Sequence, residues 1–179
     1  WFREHERPAY VSAEVDGCVI ACDAECEDQD IDVLAELGAE LSENLRCTTL
    51  ASLVHDSDVL VLMLFEAGER TMNYNSAPAY FEDSDPLPPA GADAVALCSA
   101  FHAACLDEVS RTLNHWNDPD APDGAEDESV ALDFEEDRLK RLAQLLAVPA
   151  IISHVSYSLL AEEGTEALGD QCPAFQQIE

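Results

Sequence analysis

A histidine and two aspartates fall within four residues at His55-Asp56-Ser57-Asp58. An imidazole can move a proton near neutral pH, and carboxylates can take one or hold a divalent ion. His55, Asp56 and Asp58 are therefore the candidate catalytic set of a small metal-assisted hydrolase or transferase. The same four residues also spell an ordinary exposed turn between two strands. Cys98, His102 and Cys105 are the second set. At helical spacing they are neighbours on one face, offering up to three metal ligands or a thiol with its base. The competing reading is a core-facing stripe with a boundary histidine, in which a buried thiol is inert. Cys18, Cys22 and Cys26 are evenly spaced, but no CxxC occurs, and such spacing on a strand entering a loop does not converge on a tetrahedral ion. Asp118, Asp120, Asp123 and Gly124 resemble a calcium loop whose register is off and whose Pro119 and Pro122 stiffen it. A solvated acidic loop is the reading preferred there.

The segment MNYNSAPAYF, residues 72–81, mixes aromatic rings with amides. Asn73, Tyr74, Asn75, Ser76, Tyr80 and Phe81 form a candidate ligand-binding lip at a sheet end, suited to a peptide or small ligand. Alternatively the rings pin a strand exit onto the core edge. Taken together, Asp56-Ser57-Asp58-Val59-Leu60, an apolar strand, Gly68, Tyr74-Asn75-Ser76, Pro78, Tyr80 and Phe81 are similar to a pattern in bacterial proteins of uncharacterised function. The resemblance covers the middle third of the chain. It implies no activity; it marks residues 55–83 as a structural signature.

Other chemistries have no residues to carry them. There is no glycine-rich phosphate loop, no GxSxG and no HExxH. No cofactor is expected. Eight Lys and Arg stand against 38 Asp and Glu, a formal charge of −30, and Lys140 is the sole lysine. Such a surface repels nucleic acid and anionic membrane and repels itself at low salt. It suits a high-salt cytoplasm, a basic protein partner or mimicry of nucleic acid, or divalent-cation binding. Seven cysteines cannot all close into intramolecular disulfides. No secretory h-region and no run of transmembrane length is visible, so reduced thiols in a cytoplasmic protein are expected.

These side chains need a scaffold, and its centre is Val59–Phe65. Val59, Val61, Met63 and Phe65 point one way, Leu60, Leu62 and Leu64 the other. Both faces are apolar, so the strand needs cover on both sides, or a partner chain in a homodimer on one. Strands over 48–54 and 70–74 complete a meander through the turn Glu66-Ala67-Gly68-Glu69. Upstream, 8–15 and 18–22 form a hairpin about Asp16-Gly17. Asp30 caps a helix over 31–45 with a stripe of Ile31, Leu34, Leu37, Leu41 and Leu45.

Downstream of the proline-rich loop 83–92, Asp93 caps a helix over 94–105. A further helix begins near Asp107, with Leu106, Val109, Leu113 and Trp116 on one side. Asp133 and Glu136 read as a capping box for a helix over 134–147, which carries Arg138, Lys140 and Arg141, a small basic patch that balances neighbouring glutamates. Residues 151–160 alternate like a half-buried strand. The expected fold is α+β, ββ-α-βββ-α-α-α-β, mostly antiparallel with helices packed on the sheet. A single domain spans 1–161, followed by a loosely held tail, 162–179. The expected function is a non-enzymatic binding or regulatory module acting through its acidic surface or the 73–81 lip.

Overall fold

The computed structural model describes residues 1–82, 85–116, 132–168 and 173–179. Its central strand, β4 (Val59–Glu66), is buried along its whole length except for the last residue. It lies between β3 (Thr49–His55) and β5 (Glu69–Asn75), antiparallel to both. Leu60, Leu62 and Leu64 face a core built with Met72, Tyr74, Leu97 and Leu113. Val59, Val61, Met63 and Phe65 face the opposite side. The doubly apolar run is thus covered on both faces, as its composition demands. The β4–β5 turn places Ala67 at φ 51° and Gly68 at φ 83°, the left-handed pair that matches the twist of a two-residue hairpin.

Helix α1 (Ile31–Leu45) covers the Val59 face. Asp30 Oδ1 accepts from the amides of Asp32 and Val33, so the N-cap read from sequence is in place. The helix serves two layers. Leu34, Ala35 and Ala39 pack on the Val59 face, whereas Leu37 and Leu41 join Phe2, Ala9 and Ile178 in a separate cluster. Ile31 and Leu45, expected in the stripe, stand at the two ends of the helix and are 38% and 54% exposed.

That separate cluster belongs to a second sheet, ordered β2-β1-β6, from β1 (Ala9–Ser12), β2 (Ala21–Asp23) and β6 (Phe175–Ile178). The expected return strand over 18–22 shrinks. Val15 and Cys18 form an isolated bridge around the Asp16-Gly17 turn, and regular pairing begins only at Ala21. Ser12 N donates to Ile20 O, but Ile20 N turns to Ser12 Oγ instead of the backbone carbonyl. A buried ion pair fastens this sheet: Arg7 Nε donates to Asp23 Oδ2 at 2.6 Å and Nη2 to Oδ1 at 3.0 Å. The amides of Glu25 and Cys26 complete the Asp23 shell, which offsets the cost of burying charge.

On the far face of β4 lie α2 (Ala94–Ala100), α3 (Leu106–Asn114) and α4 (Glu135–Leu145). Three expectations are corrected here. Helix α2 stops five residues short of Cys105, with His102 at φ 54°. Phe134 rather than Asp133 is the N-cap of α4, and it makes no side-chain cap bond. In α3, Val109 and Leu113 are buried, while Leu106 and Trp116 are 42% and 36% exposed.

Two larger corrections fall at the C-terminal end. Residues 151–160 are not a strand: a 3₁₀ turn, Ala150–Ser153, leads into α5 (Tyr157–Glu163). The alternating pattern loses to capping. Ser156 Oγ accepts from Leu159 N, and Glu27 Oε1 accepts from Tyr157 N at 2.7 Å. The expected loose tail ends in β6, whose register runs from Ser12↔Phe175 to Ala9↔Ile178. The strand expected over 151–160 is therefore absent, and β6 is a separate element that was not expected. The class is α+β, with antiparallel pairing in both sheets.

Candidate functional site

The lip residues leave β5 and meet the β3–β4 turn and the start of α4. The turn is tight: Asp56 and Ser57 stand at φ 50° and 65°, and Asp58 N donates to His55 O at 3.0 Å. Two non-glycine residues in the left-handed region are strained, and such strain needs surrounding support. Helix α4 supplies it. Glu135 N donates to Ser57 O, and Ser57 Oγ donates to Glu136 Oε1 at 2.8 Å. Glu136 Oε2 is buried with no hydrogen-bond partner among the described residues.

The lip itself divides in two. Tyr74 and Ser76 are buried and structural. The Tyr74 hydroxyl donates to Leu113 O at 2.8 Å, and burial pushes its pKa well up. Ser76 Oγ accepts from Leu60 N, and Asn75 Oδ1 accepts from Ala77 N. Asn73 is exposed on β5. Tyr80 and Phe81 are the outward part, 41% and 68% exposed, with ring centroids 5.0 Å apart in an edge arrangement. The His55 ring meets both edge-on, at 5.8 Å from Tyr80 and 5.0 Å from Phe81.

The three turn residues do not form one catalytic unit. His55 Nε2 lies 3.4 Å from Asp56 Oδ2, while its Nδ1 is hydrogen bonded to Gln29 Oε1. Asp58 turns elsewhere and accepts from the Tyr80 hydroxyl at 3.1 Å, a bond that raises the phenol's pKa. Cys98 and Cys105 pack with the same core cluster, but with His102 they do not form a metal-binding group of three. Cys98 is buried in the α2 face, His102 is exposed beyond the helix end, and Cys105 Sγ donates to Leu145 O. Among the described residues, no group of three or more His, Cys, Asp or Glu is placed to hold a metal ion. The calcium-like stretch 117–128 lies outside the described residues.

A cleft of about 370 Å³ opens beside Tyr80. Asp58, Tyr80, Glu82, Leu87, Trp116 and the Glu135–Arg138 pair are among its walls. Arg138 is 5% exposed, which is rare for an arginine and requires full pairing. Its Nε and Nη2 reach Glu135 at 2.7 and 3.1 Å. Its Nη1 donates to the carbonyls of Thr112, Leu113 and His115. It thereby satisfies the orphan carbonyls at the end of α3 and places a cation at the negative end of that helix. Of the basic patch read on α4, Arg138 does balance a glutamate, and Lys140 and Arg141 are exposed. Burial raises the Glu135 carboxyl above its ordinary range, a shift that Arg138 and Ser76 partly oppose.

Another cleft, about 500 Å³, lies at the first sheet among Trp1, Phe2, Arg3, Phe175 and Gln176. Arg3 is its one charged wall, and neither imidazole nor carboxylate lines it. Chemistry therefore concentrates at the Tyr80 cleft. Sequence reasoning named Asp58 as a catalytic candidate and Tyr80 and Phe81 as lip residues, without joining them; of these Asp58 and Tyr80 line the cleft, and Trp116, Leu87 and Glu135 were not singled out for it. The only local signal was the i,i+3 spacing of Glu135 and Arg138. Comparison with protein-family models, with curated proteins and with solved structures finds no match. No helix among the described residues is long and apolar enough to cross a membrane.

Proposed function

We propose that the chain is a non-enzymatic binding module that recognises a basic protein partner through the Tyr80–Phe81 end of its central sheet. One observation carries the reading. Exposed aromatic rings gather where carboxylates outnumber cations: Asp56, Asp58 and Glu82 lie in this region, Asp56 has only the His55 imidazole beside it, and no Lys or Arg pairs with these three among the described residues. Aromatic anchors with a charged rim are the pattern of recognition surfaces. A net charge of −30 steers a basic partner toward any such surface and repels acidic ones.

The test is fluorescence anisotropy of a labelled basic peptide against the whole protein over a range of salt. Tyr80→Ala and Phe81→Ala should weaken binding by about tenfold or more, the scale of an aromatic anchor. Glu69→Gln, at the opposite end of β4, should leave it unchanged. Binding that ignores both aromatic substitutions and vanishes at moderate salt would reduce the surface to a nonspecific polyanion.

A further inference from the structure

The Tyr80 cleft is small, and its internal charges are unequal. At about 370 Å³ it lies near the lower end of ligand-site volumes, room for one long side chain rather than a folded element. Arg138 and Glu135 cancel, and all three guanidinium nitrogens of Arg138 are engaged. Asp58 and Glu82 remain in the walls with no basic partner among the described residues. Asp58 Oδ2 accepts from Tyr80, which leaves Oδ1 for another donor. Tyr80 and Trp116 contribute exposed aromatic surface to the same walls, and Leu87, 51% exposed, adds an apolar side.

We infer that the cleft takes the guanidinium of an arginine on the partner protein, with Tyr80 and Trp116 as stacking surfaces and Asp58 and Glu82 as acceptors. This rests on the binding-module reading and sharpens it. Guanidinium suits the site better than ammonium for stated reasons. It is planar and weakly hydrated, stacks on aromatic faces, and presents a fork of donors to carboxylates. A lysine ammonium would surrender more hydration for a point contact.

The experiment uses three glycine-spaced peptides that differ only in carrying arginine, lysine or citrulline, titrated into the full chain and followed by indole N–H resonances. A Trp1→Phe variant assigns the Trp116 signal. The arginine peptide should move Trp116 and bind at least about tenfold tighter than the neutral citrulline peptide, with lysine between. Asp58→Asn and Tyr80→Ala should each cost about tenfold, and Glu82→Gln, a fully surface change, should cost less but in the same direction. Thermal melts confirm that each variant is folded. Equal binding of arginine and lysine peptides, indifferent to Tyr80→Ala, overturns the guanidinium site and leaves the basic partner standing. No binding of either cationic peptide overturns both.

Discussion

Gly38 of α1 lies directly over the ring of Phe65 in β4: a Cβ added at Gly38 would stand 2.5 Å from Phe65 Cε2 and 2.8 Å from Cδ2. The glycine therefore sets how closely the helix approaches the central strand. Glycine inside a helix costs about 1 kcal/mol relative to alanine, so its presence is justified only by that approach. Gly38→Ala should destabilise the fold by about 1–3 kcal/mol through overpacking, despite its better helix propensity. Urea unfolding measures it. Phe65→Leu in the same chain should recover part of the loss, and an unchanged or higher midpoint for Gly38→Ala alone would contradict the close approach.

Arg138 ties α4 to the end of α3. Arg138→Met leaves Glu135 buried without its cation and three carbonyls without their donor, and should cost about 3–5 kcal/mol. Tyr74→Phe removes one donor from Leu113 O, which keeps a 3.3 Å bond to Arg138, so about 0.5–1.5 kcal/mol is expected. The ordering of the two variants in chemical denaturation is the check.

Glu135 makes stability depend on pH. Its folded-state pKa is raised, so between the ordinary carboxylate value and the folded value the native state holds more protons than the unfolded chain. This group's contribution therefore favours the fold at lower pH and fades as pH rises through that window. The difference in unfolding free energy between the native protein and Glu135→Gln, followed from about pH 4 to 7, should show this slope. A difference that grows with pH in favour of the native protein would have the wrong sign.

The thiols should separate by reactivity. Burial first, then the neighbouring Asp23, pushes Cys26 up to about 12. At pH 8 its thiolate fraction is then about one part in ten thousand. Cys47 is exposed. Alkylation followed by peptide mass mapping should find Cys47 modified first and Cys26 only after unfolding.

Salt should stabilise the chain. Only Arg7 and Arg138 form Arg–carboxylate pairs among the described residues, against 38 acidic side chains in the sequence. Raising ionic strength from about 0.1 to 1 M shortens the screening length from about 10 to 3 Å and weakens the self-repulsion. A melting temperature that rises with sodium chloride is expected. A flat response would show that the carboxylates are spaced too widely to repel.

What the sequence by itself determined is the central strand, its two hairpin turns and helix α1. Val59–Phe65 is apolar on both faces, Gly68 offers a left-handed residue, and Asp30 caps α1; each cue is local and unopposed. The segment that carries Tyr80 and Phe81 stood out as aromatic and turn-rich, but their 41% and 68% exposure was settled only by the fold. The outcome over 151–160 was decided by distant partners, because a period-two pattern competed with a cap completed by Glu27, more than a hundred residues away. Strand β6 has four residues and one buried side chain, too little pattern to read without β1 beside it. Only the tertiary structure split the strands into two sheets with α1 between them. It alone brought Asp58, Tyr80, Trp116 and the Glu135–Arg138 pair of α4 to one cleft, because these come from separate parts of the chain and contacts between distant segments have no period along a chain.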